Sequence, residues 1–250
     1  MAISSFSNNG RLLKLGADGK NQTQLLADSS ASILWSSSCG TNYLVLTWSG
    51  HGGTSSQNIW RTNADGSSPL KLTDGKLDGF PVCSPDQKWV YYADFAGLHM
   101  RRIPLDGSGN TESVLGVPPG YAFAGGQSVP SFSPDGKTLA AAIADTQEGA
   151  VKIALFNLGS SSQPRMLDAS HYSSSGLQFT PDGKSVAYAV RENGVDNVWV
   201  QPLEGSAGHP ITDFKSEQIW SFHLSPDGKS LGILRGNYDS DVVLLQESKP

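Results

Sequence analysis

Ser133-Pro134-Asp135-Gly136-Lys137 is the stretch that decides the fold, because the chain repeats it. The copies share a hydroxyl residue, the Pro-Asp pair and a final lysine, and they are Ser84-Pro85-Asp86-Gln87-Lys88, Thr180-Pro181-Asp182-Gly183-Lys184 and Ser225-Pro226-Asp227-Gly228-Lys229. Successive prolines lie 49, 47 and 45 residues apart. A nearly constant period of this length indicates stacked supersecondary units.

Each copy predicts a tight turn between two strands. Proline presets the backbone of the second turn position, aspartate tolerates the third, and glycine supplies a positive φ at the exit. A β-rich run follows each lysine, as in residues 89–92 and 185–188. Two further short strands complete each repeat, so the repeat predicts one four-stranded antiparallel propeller blade.

The repeat therefore predicts an all-β fold, a single β-propeller over residues 1–250 with six blades as the best count. Residues 1–28 are interpreted as a partial N-terminal blade, in which residues 12–26 form strands three and four. Residues 222–246 are interpreted as a partial C-terminal blade. The two end pieces would share one blade of a closed ring, which removes free sheet edges. The alternative is a fragment of a longer array.

Composition narrows the classes of function. A formal net charge of −5 without a basic cluster disfavours a nucleic-acid surface, which needs concentrated positive charge. No apolar run reaches about 18 residues, so we expect no membrane insertion. The first residues lack the charged and apolar regions of a signal peptide. Cys39 and Cys83 are interpreted as two small buried hydrophobes, since their spacing supports neither a disulfide nor a metal site.

The phrase from Phe132 to Lys137 resembles the WD40-like PD40 repeats of the TolB-like β-propellers, and the resemblance covers roughly residues 30 to 245. Residues 225–231, 234–236 and 240–245 are similar to the last blade of propellers linked to bacterial receptor kinases and regulators. The resemblance implies a non-catalytic module of a larger bacterial protein that recognises a protein or ligand as a sensor or scaffold. It also favours a periplasmic or extracytoplasmic location. The chain departs from the pattern at Ser37, which stands in a proline slot, and at Gln87, which replaces a turn glycine.

In such a propeller, the loops between blades and those between strands two and three share one face, where function usually resides. The Ser-Pro-Asp turns lie on the opposite face, so we interpret their aspartates as turn formers. We expect a protein or small-molecule ligand at the loop face of the central channel. The candidate ligand-binding residues are His223, Trp220, Tyr121, Gln178 and His171. His51, within a Gly/Ser-rich loop, is expected to be exposed and mobile.

The alternative hypothesis is a hydrolase of the glycoside hydrolase or lactonase type that uses Asp78, Asp145 and Glu217. Two carboxylates roughly 5 to 10 Å apart suit glycoside hydrolysis, and Trp220 and Tyr121 would then stack against sugar rings. The sequence contains no Gly-x-Ser-x-Gly, Cys-x-x-Cys or His-Glu-x-x-His. The leading hypothesis therefore assigns no catalytic residue, metal or cofactor, and calcium is kept as the alternative to no cofactor.

Overall fold

The structure is a computed structural model that describes residues 2–5, 10–14, 16, 20–53, 55–124, 129–160, 162–169, 171–225 and 227–237. These residues form antiparallel sheets and a 3-10 turn, His51–Gly53. Sheet A contains β1 (Ala2–Ser5), β2 (Gly10–Lys14) and β3 (Thr23–Asp28). Sheet B contains β4 (Ser32–Cys39), β5 (Tyr43–Ser49), β6 (Gln57–Asn63) and β7 (Leu70–Lys71). Sheet C contains β8 (Asp78–Cys83), β9 (Trp89–Asp94), β10 (His99–Pro104) and β11 (Glu112–Gly116).

The remaining sheets continue the same order along the chain. Sheet D contains β12 (Tyr121–Phe123), β13 (Ser131–Phe132), β14 (Thr138–Asp145), β15 (Val151–Asn157) and β16 (Arg165–Asp168), with β12 and β13 both paired to β14. Sheet E contains β17 (Tyr172–Phe179), β18 (Ser185–Glu192), β19 (Val195–Pro202) and β20 (His209–Pro210). Sheet F contains β21 (Gln218–Leu224) and β22 (Leu231–Gly236). The predicted all-β propeller is confirmed, and the count of six blades stays a prediction.

The core lies between consecutive sheets, because the second strands of sheets B to E bury both of their faces. Successive side chains of a strand point to opposite sides. In β9, Val90 and Tyr92 pack towards sheet B, whereas Tyr91 and Ala93 pack towards sheet D. Residues on two faces of one strand thus join two separate apolar clusters. This two-sided burial explains why the second strands are nearly continuous apolar runs.

The repeated turn is a hydrogen-bonded clamp within six residues. In the second copy, the Ser133 hydroxyl donates to Asp135 at 2.6 Å and accepts the Thr138 N–H at 2.9 Å. Asp135 also accepts the Lys137 N–H, and Gly136 adopts a φ of 69°. The hydroxyl bond is the largest cause of a lowered pKa at Asp135. The same bonds recur in the other copies, which agrees with the interpretation of these aspartates as turn formers.

The interpretation of the cysteines as separate buried residues is wrong, because Cys39 and Cys83 form a disulfide across sheets B and C. Their Cα atoms are 5.3 Å apart. Each cysteine ends the first strand of its sheet, just before the turn. Equivalent positions of neighbouring first strands face each other, so a separation of 44 residues becomes a direct contact.

Two details at the ends of the chain differ from the expectations. Ser37 lies inside β4, paired with Val45, and the turn to β5 is the shorter segment 40–42. Residues 12–26 are covered by β2 and β3, and β1 adds a first strand to the same sheet. The predicted third strand of the C-terminal blade lies outside the described residues, and the division into partial blades stays a prediction. No helix of the described part of the chain has the length and apolar character needed to cross a membrane.

Candidate functional site

The candidate site lies at the end of the strands opposite to the Ser-Pro-Asp turns. Since neighbouring strands are antiparallel, the loops between strands two and three and the links between sheets emerge together at this end. We call this end the loop face. Loops held by a rigid sheet are the usual place for binding residues.

Sheet C carries four apolar residues in a row across its loop face. Leu77 precedes β8, Phe95 follows β9, Leu98 precedes β10 and Val117 follows β11. The backbone ladder extends through this row, because Phe95 N–H donates to the Leu77 carbonyl at 3.0 Å and Val117 N–H to the Leu98 carbonyl at 3.1 Å. With about 4.8 Å between strands, the row spans roughly 14 Å. We call these four residues the apolar row.

The apolar row is exposed although it is apolar. Leu77 and Leu98 are 42% and 41% exposed, and Phe95 and Val117 are half-buried. Leu98 adopts a left-handed φ of 54°, an unfavourable conformation for a residue with a branched side chain. At the first three corresponding positions, sheets B and E carry smaller or more polar residues, namely Ala31, Gly50 and Ser56, and His171, Asn193 and Gly194. The fourth position is apolar in these sheets too, with Leu72 and Ile211 where sheet C has Val117. The row is therefore a property of sheet C and not of the repeat.

A layer of aromatic rings supports the apolar row from below. The Phe95 ring lies 5.2 Å from the Phe80 ring and 6.0 Å from the Phe123 ring, both in edge-on arrangements. Phe80 is buried and contacts Trp35 at 4.4 Å between ring centroids. These contacts connect sheets B, C and D directly beneath the row. Edge-on aromatic pairs add to stability beyond their buried area, so the exposed row rests on a rigid base.

Tyr121 continues this surface towards sheet D. Its N–H donates to the Pro118 carbonyl at 3.1 Å, and Thr146 N–H donates to the Gly120 carbonyl at 2.9 Å. The Tyr121 side chain is half-buried. Of the predicted ligand-binding residues, Tyr121 is the one that follows directly on the segment from Val117.

His51 differs from its prediction as an exposed and mobile residue. Its Nδ1 lies 2.6 Å from Asp28 Oδ2, and its ring stacks on Trp48 at 4.0 Å. Asp28 also accepts the Ser30 hydroxyl, and the His51 bond is the main reason that the Asp28 pKa is lowered to about 2. Asp28 ends β3 of sheet A, so the pair joins a loop of sheet B to the preceding sheet. Within the described ranges, no group of three or more potential ligand side chains could hold a metal ion.

Asp78, the first of the proposed catalytic acids, is buried at the start of β8. Thr73 Oγ1 donates to its Oδ2 at 2.6 Å and accepts the Ile59 N–H at 3.0 Å. Burial raises the pKa of Asp78 above its ordinary value. The Asp78 carboxyl group thus binds Thr73, which in turn holds the segment between sheets B and C against Ile59 of β6.

Asp145 and Glu217 are engaged in separate contacts. Asp145 accepts the N–H groups of Gln147 and Glu148 in the turn after β14, and the Glu148 bond is the larger cause of its lowered pKa. Glu217 precedes β21, has a left-handed φ of 68° and forms an ion pair with Arg235 at 3.2 Å. The three acids belong to sheets C, D and F, and each has its own local partner.

Gln178 connects two first strands instead of pointing freely into a channel. Its Oε1 accepts the Leu224 N–H at 2.8 Å, and Ser131 Oγ accepts the Phe179 N–H at 3.0 Å in the same way one sheet earlier. His223 occupies the corresponding position in β21. His223 is exposed to solvent, and the protein atoms around its ring desolvate it in part and lower its pKa.

The last two predicted ligand-binding residues lie at the edges of sheets E and F. His171 is exposed before β17, has a left-handed φ of 63°, and its carbonyl accepts the Arg191 N–H at 2.7 Å. Trp220 lies in β21, with its ring against Gly236 of β22. A shallow cleft of about 390 Å³ opens beside β3 and includes Lys14 and Asp65. None of the predicted ligand-binding residues lines that cleft.

Solved structures share this arrangement of sheets. TolB from Acinetobacter baumannii superposes with a TM-score of 0.70 at 17% identity over 92% of this chain, which spans 56% of that TolB chain. The putative TolB from Agrobacterium tumefaciens gives a TM-score of 0.68 at 18% identity, with 97% of this chain and 80% of the other covered. The fold is a TolB-like β-propeller.

The same TolB-like fold also occurs in an enzyme. Oligogalacturonate lyase in complex with manganese superposes with a TM-score of 0.64 at 16% identity over 92% of this chain and 67% of the lyase. No family model and no curated protein matches this sequence. At these identities the likeness concerns the fold alone.

Sequence reasoning missed three features of the TolB-like scaffold, which are the bond between Asp28 and His51, the buried bridging role of Asp196 and the apolar row. Asp28 lies directly before a Ser-Ser pair, in the link between sheets A and B. The repeat pattern places links between sheets on the loop face, and this was the signal that could have identified Asp28. Asp196 is fully buried and accepts hydrogen bonds from Arg191 and from the Ile219 N–H. The apolar row was missed because its first and last members, Leu77 and Val117, are 40 positions apart in sequence. The four residues align only when the strand ends are known.

Proposed function

We propose that this chain is a non-catalytic recognition module that binds a partner protein through the loop face of sheet C. The apolar row is the observation that supports this proposal. A contiguous exposed apolar surface on a rigid base is typical of protein-interaction sites. The PD40-like repeats and the TolB-like fold agree with a sensor or scaffold role within a larger bacterial protein.

Burial of the two exposed leucines by a partner protein would supply free energy of binding. Leu77 and Leu98 are each roughly three-fifths buried already, and a partner would remove the remaining apolar surface from water. Full burial of a leucine side chain contributes about 1.5–3 kcal/mol, so the exposed part of each contributes about 1 kcal/mol. Interface energy usually concentrates in a few such central residues. The backbone bonds within the row limit the entropy lost on binding.

The alternative proposal remains a hydrolase that uses Asp78, Asp145 and Glu217. The occurrence of the same fold in oligogalacturonate lyase makes an enzyme assay a necessary companion to the binding test. The structural contacts described above give each of these acids a role in turns or links between sheets. The observations on the apolar row favour recognition.

The test is selection of peptides from a displayed random library on the purified chain, followed by titration calorimetry with the enriched peptides. We expect enriched peptides whose affinity falls by about tenfold or more in Leu77→Ser/Leu98→Ser, since tenfold corresponds to about 1.4 kcal/mol. The matched control is Ile211→Ser, which changes a residue of equal exposure on sheet E. Peptides that bind the double variant as well as the unchanged chain would refute the proposal.

The enzyme assay is run on the same preparations. A panel of glycosides, lactones and esters is offered with and without calcium. Turnover that Glu217→Gln abolishes while Leu77→Ser/Leu98→Ser leaves it intact would replace recognition by hydrolysis.

A further inference from the structure

The Ser-Pro-Asp turns of neighbouring sheets contact each other. Each turn glycine lies against the proline of the preceding turn, so that a Cβ on Gly136 would lie 3.4 Å from Pro85, and one on Gly183 would lie 3.2 Å from Pro134. Gly228 meets Pro181 in the same manner. The turns of sheets C to F therefore form a continuous line of proline–glycine contacts.

This line stops at the junction between sheets B and C. Sheet B has no Ser-Pro-Asp turn, because β4 continues to Cys39 and segment 40–42 closes the hairpin. Gly40 instead meets the side-chain amide of Gln87, the residue that replaces the turn glycine in sheet C. At this junction the turn of sheet B has no proline and the turn of sheet C has no glycine, so the proline–glycine contact is absent.

The disulfide lies at this junction. Cys39 and Cys83 end the first strands β4 and β8, and the corresponding residues of sheets D, E and F are Phe132, Phe179 and Leu224. Cys39 is completely buried and Cys83 is half-buried, within the cluster formed by Val45, Val90 and Tyr92. The covalent bond therefore connects the same two elements whose turns no longer contact each other through proline and glycine.

We propose that the Cys39–Cys83 disulfide is a redox-controlled clasp that replaces the proline–glycine contact between sheets B and C. Formation of the bond removes two protons and two electrons from the thiols, and a dithiol–disulfide oxidoreductase or glutathione disulfide accepts them. A dithiol reductant reverses the step and returns both thiols. Since such bonds persist in oxidising compartments, the clasp is closed in an exported protein and open in a reducing cytosol.

The clasp predicts a local and measurable response to reduction. The cysteines are 44 positions apart in sequence, a separation for which cross-linking restricts the unfolded chain appreciably. We expect reduction to lower the midpoint of thermal unfolding by roughly 8–15 °C for a domain of this size. At temperatures below this midpoint, reduction should speed the hydrogen exchange of β4 and β8, while β17 and β21 keep their protection.

The experiment uses the full chain, oxidised and reduced by dithiothreitol, with thiol alkylation and mass spectrometry to count free cysteines. We expect no alkylation without reductant and two alkylated cysteines with it. The double variant Cys39→Val/Cys83→Ala keeps the positions apolar and should unfold like the reduced chain, with no response to reductant. Phe132→Leu, at the corresponding position of sheet D, should keep the full redox response.

Three results would overturn the proposal. The first is alkylation of both cysteines in the untreated protein. The second is an unfolding midpoint that reduction leaves unchanged. The third is a loss of hydrogen-exchange protection that is equal in β4, β8, β17 and β21, because a local clasp acts on its own junction first.

Discussion

Removal of the Asp196 carboxylate should weaken the connection between sheets E and F. Asp196 lies in β19 and is 0% exposed. Arg191 donates to its two oxygens at 2.7 and 3.0 Å, and the Ile219 N–H of β21 donates at 2.9 Å. The side chain therefore holds an arginine of its own sheet and a backbone group of the next sheet at once.

Asp196→Ala leaves the buried Ile219 N–H without this acceptor, which costs about 1–3 kcal/mol. The Arg191 side chain is 40% exposed, so water replaces part of its lost bonds and this pair adds only about 1 kcal/mol. The expected loss in the free energy of unfolding is about 2–4 kcal/mol. Asp196→Asn keeps an oxygen for Ile219 but loses the charge, and should cost about 1–2 kcal/mol.

The assay is equilibrium unfolding in urea, with the midpoint and slope compared across the variants. Asp213→Ala is the matched control, because Asp213 is 84% exposed and pairs with the exposed Lys215 two residues further along the same loop. The control should stay within about 0.5 kcal/mol of the unchanged chain. If Asp196→Ala is as mild as the control, the reasoning from buried hydrogen bonds at this junction is refuted.

The further predictions concern a buried carboxyl group of sheet C and the turn residues of sheets C and D. Burial raises the Asp78 pKa in the folded state, so its contribution to stability is full below the unfolded pKa and is lost as the pH rises through the folded value. Asp78→Asn should therefore unfold at higher urea than the unchanged chain at pH 7, with the gap closing below about pH 4, and a less stable variant at pH 7 would contradict this. Gln87 has a φ of 57°, so Gln87→Gly should stabilise by about 1 kcal/mol. Gly136→Ala should destabilise, since its φ is 69° and Pro85 lies 3.4 Å from the added Cβ; equal thermal midpoints for these two variants would disprove the conformational explanation.

The fold could be predicted from the sequence because its unit is local. The clamp from Ser133 to Thr138 closes within six residues, so its chemistry is readable without knowledge of any other blade. Nearly continuous apolar runs such as residues 138–143 then supply the strand that follows each turn. The interpretation of Ser37 was wrong in position because sheet B uses a shorter turn that leaves no proline to mark it.

The candidate site was only partly accessible to the same reasoning. Tyr121 was chosen from an apolar loop, and the structure places it next to the segment that ends the apolar row. Leu77 and Leu98 carry no chemical signature of their own, and they become a surface only through the ends of β8 and β10. Gln178 was chosen because it occupies the same position of an innermost strand as His223, and its amide oxygen accepts a hydrogen bond from the neighbouring strand.

The sequence by itself determined the blade: its turn, its strand order, its all-β class and the face on which its loops emerge. The tertiary structure alone decided which residues of different blades meet. Cys39 meets Cys83, Asp28 meets His51, and Ser131 meets Phe179. The physical reason is range: hydrogen bonds within a turn depend on neighbouring residues, whereas contacts between blades depend on the register of whole strands packed against one another.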